Sequence, residues 1–308
     1  MNGAVNFLKP PDMTSSDAVV WLRRMLDVKK IGHGGTLDPA AAGVLPILTG
    51  KATRLFDLML AGRKRYIATV RFGTATDTLD QDGEITRRMP VTFTEQDLAR
   101  VLPFFTGEIS QVPPRYSAVS IGGARAYDLA RGGRDFELSV RRVQVYNLKL
   151  HRREDAYTYS LDITCSSGTY IRTLAADMAA RLNTCAHLCA LTRVQSGDFH
   201  IKDALTVQDI VSLKDEGNIR RIITPLREVL RAYPAVSITS SAFKRAVNGG
   251  TLSLKDLQKD AKKNVVCGQT YCIMDEEEKQ LISLALAVRE DGRCVLRPQI
   301  MLFDGDES

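Results

Sequence analysis

Between residues 32 and 39 the chain reads Gly-His-Gly-Gly-Thr-Leu-Asp-Pro, and neither a regular helix nor a central strand accommodates that run. Three glycines free the backbone, and Pro39 removes an amide donor. The segment must be a loop with unusual backbone demands. In it, Asp38 is a carboxylate flanked by residues that let the main chain approach a ligand closely. From these residues alone, Asp38-Pro39 reads equally well as a turn or a helix cap, and His33 as a hydrogen-bonded structural histidine.

Hydrophobic periodicity places this loop among alternating helices and strands. Thr14, Ser15 and Ser16 offer caps for a helix through about Leu26, with Ala18, Leu22 and Met25 on one face. Tyr66, Ala68, Val70 and Phe72 alternate with polar neighbours and predict a half-buried strand starting at Tyr66. A helix is expected from Thr94 to Phe105, kinked or ended early by Pro103. Tyr157, Tyr159, Leu161, Ile163 and Cys165 predict a second strand. Ser166-Ser167-Gly168 then turns the chain into a helix whose stripe is Ile171, Leu174, Ala175, Met178 and Leu182. Arg172 thus falls at a strand–turn–helix junction. From about Arg231 short β-like runs appear at Val236–Thr239, Val265–Gly268, Leu281–Arg289 and Cys294–Met301, with turn signals at Asn248-Gly249-Gly250 and Asp291-Gly292. Asp275–Lys279 reads as a solvated loop. The division expected is a domain over residues 1–234 and a small β domain over 235–308.

The net charge of +6 is compatible with an RNA partner without requiring one. Basic residues cluster at Arg63-Lys64-Arg65, Arg141-Arg142, Arg152-Arg153 and Arg220-Arg221, and could neutralise phosphates if the fold gathers them on one face. No run approaches the ~20 apolar residues of a membrane helix, and Met1–Lys9 lacks the pattern of a signal peptide. The six cysteines are expected as reduced, buried apolar thiols of a cytoplasmic protein. Cys185, His187 and Cys189, with Cys267 and Cys272 further on, are too loosely spaced for a zinc site, so no metal is expected.

The run KIGHGGTLDPAAAGVLPILTGKATRL, Lys30 to Leu55, resembles the signature of the bacterial TruB-type tRNA pseudouridine-55 synthases, close to G-H-x-G-x-L-D-P-x-A-x-G-x-L-P. LKPPDMTSSDAV resembles that family's K-P-x-G-x-[ST]-S segment, with Asp12 where the pattern has glycine. KRYIATVRFGTATDTLDQDG resembles K-x-Y…G-x-x-T-D-T-x-D-x-x-G. QVPPRYSAVSIGGARAYDLARGG resembles P-P-x-[YF]-S-A-x-x-x-x-G-x-x-x-Y-x-x-A-R-x-G, and CSSGTYIRTLAADMAARL resembles C-x-x-G-T-Y-I-R-[ST]-L. These motifs follow the family order over roughly residues 6 to 200; Cys185, His187 and the C-terminal region match only loosely.

The resemblance implies an α+β pseudouridine synthase fold: a central mixed, mainly antiparallel sheet flanked by helices, an active cleft across its middle, and a small C-terminal PUA-like barrel. It implies a cytoplasmic isomerase that flips uridine 55 out of the tRNA T-loop and exchanges its C–N glycosidic bond for a C–C bond, without a cofactor. Asp38 would be the catalytic carboxylate, Arg172 its cationic partner, and Tyr66 the ring that stacks on the uracil, an interaction worth ~1–3 kcal/mol. His33, Lys9, Gly34, Thr36 and Tyr170 would bind substrate: His33 by filling the space left by flipped bases, Lys9 with Pro10 chiefly by bracing the loop. The insertion around 108–134 would clamp the T-arm stem-loop, and the C-terminal domain would contact the acceptor end. A monomer acting without membrane or guide RNA is expected. Two other readings stand beside this one: an RNA-folding chaperone that opens and re-closes the tRNA elbow, and a guide-dependent synthase sharing the catalytic core. The Gln111–Gly133 segment favours the stand-alone type.

Overall fold

A computed structural model describes residues 1–117, 119–303 and 305. Ala118 of the P-P-x-[YF]-S-A motif and the last residues of the expected 235–308 unit lie outside the described residues. The backbone is organised by one ten-stranded sheet. Its main path runs Thr224–Pro225, Gly3–Lys9, Ala42–Thr49, Ala186–Ser196, Lys64–Phe72, Thr158–Cys165, Arg141–Arg153 and Gly107–Gln111. Every pairing along this path is antiparallel except one. Ala42–Thr49 and Ala186–Ser196 run parallel, with Thr192 opposite Ala42 and Arg193 opposite Gly43. The expected mixed, mainly antiparallel sheet is therefore the observed one, and its one parallel seam lies mid-sheet.

The helices cover the sheet for the reasons their sequences give. Thr14 caps Ser15–Leu26 in a capping box with Asp17, and Ala18, Leu22 and Leu26 pack on Val5, Phe7, Leu45 and Ile47. Thr94 caps a helix over Glu95–Val101; Pro103 then falls in a 3₁₀ turn over Leu102–Phe105, the early end expected of it. The helix Ile171–Arg181 lays Leu174, Ala175 and Met178 against Ala68, Val70, Leu161 and Ile163. Asp12 adopts φ 63°, the left-handed conformation in which the family pattern has glycine, and its N–H donates to the Pro39 carbonyl at 3.0 Å.

Two boundaries shift. Residues 108–111 belong to the strand Gly107–Gln111 inside the central sheet, so the extension begins after Gln111; it carries a hairpin over Ser120–Ile121 and Ala124–Arg125 and a short helix over Ala126–Arg131. A strand was also expected at Val265–Gly268, where the chain turns; the strand is Thr270–Met274. The C-terminal sheet is ordered Ala235–Ser237, Thr270–Met274, Leu281–Glu290, Arg293–Met301, Leu252–Ser253, with the helix Ser240–Val247 against it. No helix among the described residues is long and apolar enough to cross a membrane.

Candidate active site

The Gly-rich loop is fastened from several directions, by its own strand, by the Leu8–Val19 segment and by Arg193. The Gly34 N–H donates to the Pro46 carbonyl at 2.7 Å. The buried Ser15 hydroxyl accepts from Leu37 N–H at 2.9 Å and donates to Leu37 O at 3.0 Å. The Lys9 ammonium donates to the carbonyls of Pro10, Met13 and Pro39 at 2.8, 2.6 and 3.0 Å. Arg193, 1% exposed, donates to Val44 O, Thr36 O and Gly35 O at 2.7, 3.2 and 3.1 Å. These bonds satisfy loop carbonyls that no ladder could reach, and they fix the backbone on which Asp38 stands.

Arg172, in the first turn of its helix and 8% exposed, reaches two carboxylates at once: Asp38 Oδ2 at 3.0 Å and Asp80 Oδ2 at 3.1 Å. It also donates to Thr78 O at 3.0 Å and Tyr116 O at 2.9 Å. A cation at a helix N-terminus is opposed by the macrodipole, and the two anions supply the compensation. The Asp38 side chain is 42% exposed and that of Asp80 16%, so Asp38 is the member that opens outward. Asp38 stands in a cleft walled by protein. That burial pushes its carboxyl above the usual range, Arg172 opposes the push, Asp80 adds to it, and Lys9 opposes it more weakly.

Asp38 lines a cavity of about 370 Å³, within the range of small-ligand sites. Tyr66, Thr36, Tyr170 and Arg172 line it with Asp38, together with Ser117, Arg141 and the Ser166–Gly168 turn. Tyr66 is opposite Arg193 in the sheet, and Arg193 is opposite Gly43, so ring, guanidinium and glycine align across the parallel seam. Burial raises the Tyr66 phenol, while the nearby Arg193 charge draws it down. Tyr170 exchanges hydrogen bonds with the Gln111 side chain, its N–H donating at 3.1 Å and its carbonyl accepting at 3.3 Å.

Three residues expected to bind substrate lie elsewhere. Lys9 is fully buried with all three donors on carbonyls, so it braces the loop and has none left for a phosphate; burial lowers its ammonium to about 8. Gly34 packs against Met59, where an added Cβ would come within 3.1 Å of the Met59 Cβ. His33 sits in the edge strand Ile31–His33 outside the cavity lining; its Nδ1 is buried without a partner among the described residues, and burial and Arg193 lower its imidazole. The basic clusters also disperse. Lys64 is buried on the carbonyls of Met59, Leu60 and Gly62, Arg65 pairs with Asp162, Arg142 with Glu108, and Arg152 with Glu154. Of these, Arg141 and Lys64 line the cavity. Asp80 and Arg193 were not singled out in the sequence. Asp80 lies in the T-D-T-x-D segment; Arg193 is a charge two residues after Leu191 in a strand, so Leu191 and Arg193 share one face and line the cavity.

Residues 23–171 match the model of the TruB family pseudouridylate synthase N-terminal domain, and residues 172–231 that of the tRNA pseudouridylate synthase B C-terminal domain. A protein of Pelotomaculum thermopropionicum named tRNA pseudouridine synthase B is 42% identical over 257 residues, covering 82% of this chain and 81% of its own length. One so named from Moorella thermoacetica is 44% identical over 251 residues (80% and 82%). Another, from Alkaliphilus oremlandii, is 36% identical over 293 residues (94% and 95%). Among solved structures, a chain of a Cbf5-Nop10-Gar1 complex superposes with TM-score 0.73 at 27% identity, covering 99% of this chain and 86% of that one. A chain of an H/ACA RNP bound to a substrate RNA containing 2′-deoxyuridine gives TM-score 0.73 at 24% identity over 99% and 86%, a likeness of fold.

Proposed function

The chain belongs to the TruB family of pseudouridylate synthases, and from that premise we propose that it isomerises uridine 55 in the T-loop of tRNA to pseudouridine. The observation that carries this reading is the 3.0 Å contact of Asp38 with Arg172 at the edge of the cavity that Tyr66 lines. In the reaction the C1′–N1 bond breaks, the base turns, a C1′–C5 bond forms, and the proton on C5 leaves as N1 gains one. Atoms and electrons balance without redox change. Asp38, kept ionised by Arg172, acts at the ribose, as nucleophile or as base. Tyr66 offers its ring to the flipped uracil. Thr36 and Tyr170 contact the nucleotide, and Arg141 meets a backbone phosphate. Asp80 and Arg193 act through others: Asp80 holds Arg172, and Arg193 holds the loop.

Residues 1–234 form the catalytic unit, the extension after Gln111 grips the T-arm, and residues 235–308 meet the acceptor end. Support for a stand-alone enzyme comes from the relatives at 36–44% identity that span most of the chain. It acts as a cytoplasmic monomer on tRNA without a guide RNA. The test is pseudouridine formation on unmodified tRNA by the purified chain. Asp38→Asn should lower turnover roughly 10⁴-fold while tRNA binding persists. Turnover undiminished in that variant, or absent in the parent without a guide RNA, contradicts the proposal.

A further inference from the structure

The cysteines were expected as buried thiols, and one pair breaks that expectation. Cys165, Cys185 and Cys272 are buried and Cys189 is half-buried, but Cys267 is exposed, and its Sγ lies 2.7 Å from Sγ of the half-buried Cys294, 27 residues away. Two reduced sulfurs in ordinary contact stay further apart, and a disulfide would bring them to ~2.05 Å. The frame around them is fixed on both sides. Gly268 N–H donates to Ala287 O at 2.7 Å, and Val266 N–H donates to the Tyr271 hydroxyl at 2.7 Å. Cys294 sits in the strand Arg293–Met301, paired with Arg289 of the neighbouring strand. The main chain on both sides of the pair is thus held in place.

We propose that Cys267 and Cys294 are a modification site: a dithiol that a peroxide converts to a reversible intramolecular disulfide. The Cys267 thiolate attacks a peroxide oxygen and the O–O bond breaks. Hydroxide leaves and takes up the proton that the Cys267 thiol had released, departing as water, with Cys267 as sulfenic acid. Cys294 sulfur then attacks Cys267 sulfur; the S–S bond forms, the S–O bond breaks, and hydroxide departs as water with the Cys294 proton. Two thiols lose two electrons and one hydrogen peroxide gains them, giving two waters. Exposure makes Cys267 the sulfur the oxidant meets. Burial and the neighbouring sulfur push the Cys294 thiol up to about 11, which suits the partner that keeps its proton until the second step. In a reducing compartment such a bond is a transient, oxidant-responsive one. It ties the Val265–Gln269 turn to the hairpin of the C-terminal sheet and removes loop entropy from the unfolded chain.

The full-length reduced protein is treated with hydrogen peroxide, alkylated, and its thiols counted after denaturation. The count should fall from six to four, with a peptide joining Cys267 to Cys294 that lacks two hydrogens, and dithiothreitol should restore six. The oxidised form should melt a few degrees higher. In Cys294→Ser, dimedone should label Cys267; in Cys267→Ser, thiol loss should slow roughly tenfold. Six thiols remaining, a disulfide between two molecules, or sulfinic acid at Cys267 with Cys294 untouched would each overturn the proposal.

Discussion

Asp38 holds its charge against its surroundings. Burial pushes its carboxyl up, Arg172 pulls it down, Asp80 pushes it up again, and the balance lies above the ordinary carboxylate range. Two consequences follow at this residue. Because the ionised form is the active one, activity should fall on the acid side at a pH higher than an ordinary aspartate would set, and Asp80→Asn, by deleting a like charge, should move that limb to lower pH. Rate–pH profiles on a T-arm stem-loop check this; a limb that stays put or rises refutes the coupling. The second consequence concerns stability. A carboxyl whose folded value exceeds its unfolded value binds protons more readily when folded, so the fold is penalised once pH exceeds the folded value and is not penalised below the unfolded one. Asp38→Asn should therefore raise the urea midpoint at neutral pH, with the gain vanishing as pH falls below the usual aspartate range. A lower midpoint at neutral pH would contradict this. Much of this residue set was legible in sequence: Asp38, Tyr66 and Arg172 lie in motifs and do converge on one cavity. Asp80 was hidden among the carboxylates Asp77, Asp80 and Asp82, because the positive φ of Leu79 shapes the turn that aims one of them inward, and spacing carries no record of that turn. Arg193 was hidden because its partners, Gly35 and Thr36, lie about 157 residues earlier in the chain.

Among the elements, the parallel seam between Ala42–Thr49 and Ala186–Ser196 carries a tight steric requirement. Gly43 adopts φ 111°, and a Cβ there would stand 2.3 Å from the Arg193 carbonyl. Gly43→Ala should push the two strands apart, cost on the order of 3 kcal/mol by denaturant unfolding, and lower turnover through the displaced Arg193. A variant of parental stability would mean that the seam is looser than its geometry. The strands Lys64–Phe72 and Thr158–Cys165 were readable because each has one apolar face and alternates cleanly. Thr270–Met274 was missed because Tyr271, Cys272, Ile273 and Met274 are all buried, so both faces are covered and alternation disappears. The helix Ser240–Val247 escaped notice because its buried stripe is Ala242 and Ala246, residues too small to mark a face strongly.

At the scale of the whole molecule, the shift in character near Arg231 predicts two units, yet their interiors touch. Ala4, Leu48, Ala52 and Leu55 from the first and Cys272, Met274, Leu284 and Leu302 from the second share one apolar cluster, with Leu226, Val229 and Leu230 between them. Chains of this length ordinarily unfold in stages. A shared core opposes that, because melting the C-terminal sheet would expose Leu48 and Leu55, each 1% exposed or less, to water. The single tryptophan offers a local probe: Trp21 stacks on Phe7 at 5.8 Å, far in sequence from the C-terminal sheet. Leu284→Ala, which empties a position within the shared cluster, should cost about 2–5 kcal/mol. Trp21 fluorescence and far-ultraviolet circular dichroism should both shift by that amount and stay coincident. If Leu284→Ala moves only part of the dichroism transition and leaves the Trp21 transition at its parental midpoint, the two units melt separately, and the cluster between them is contact without coupling.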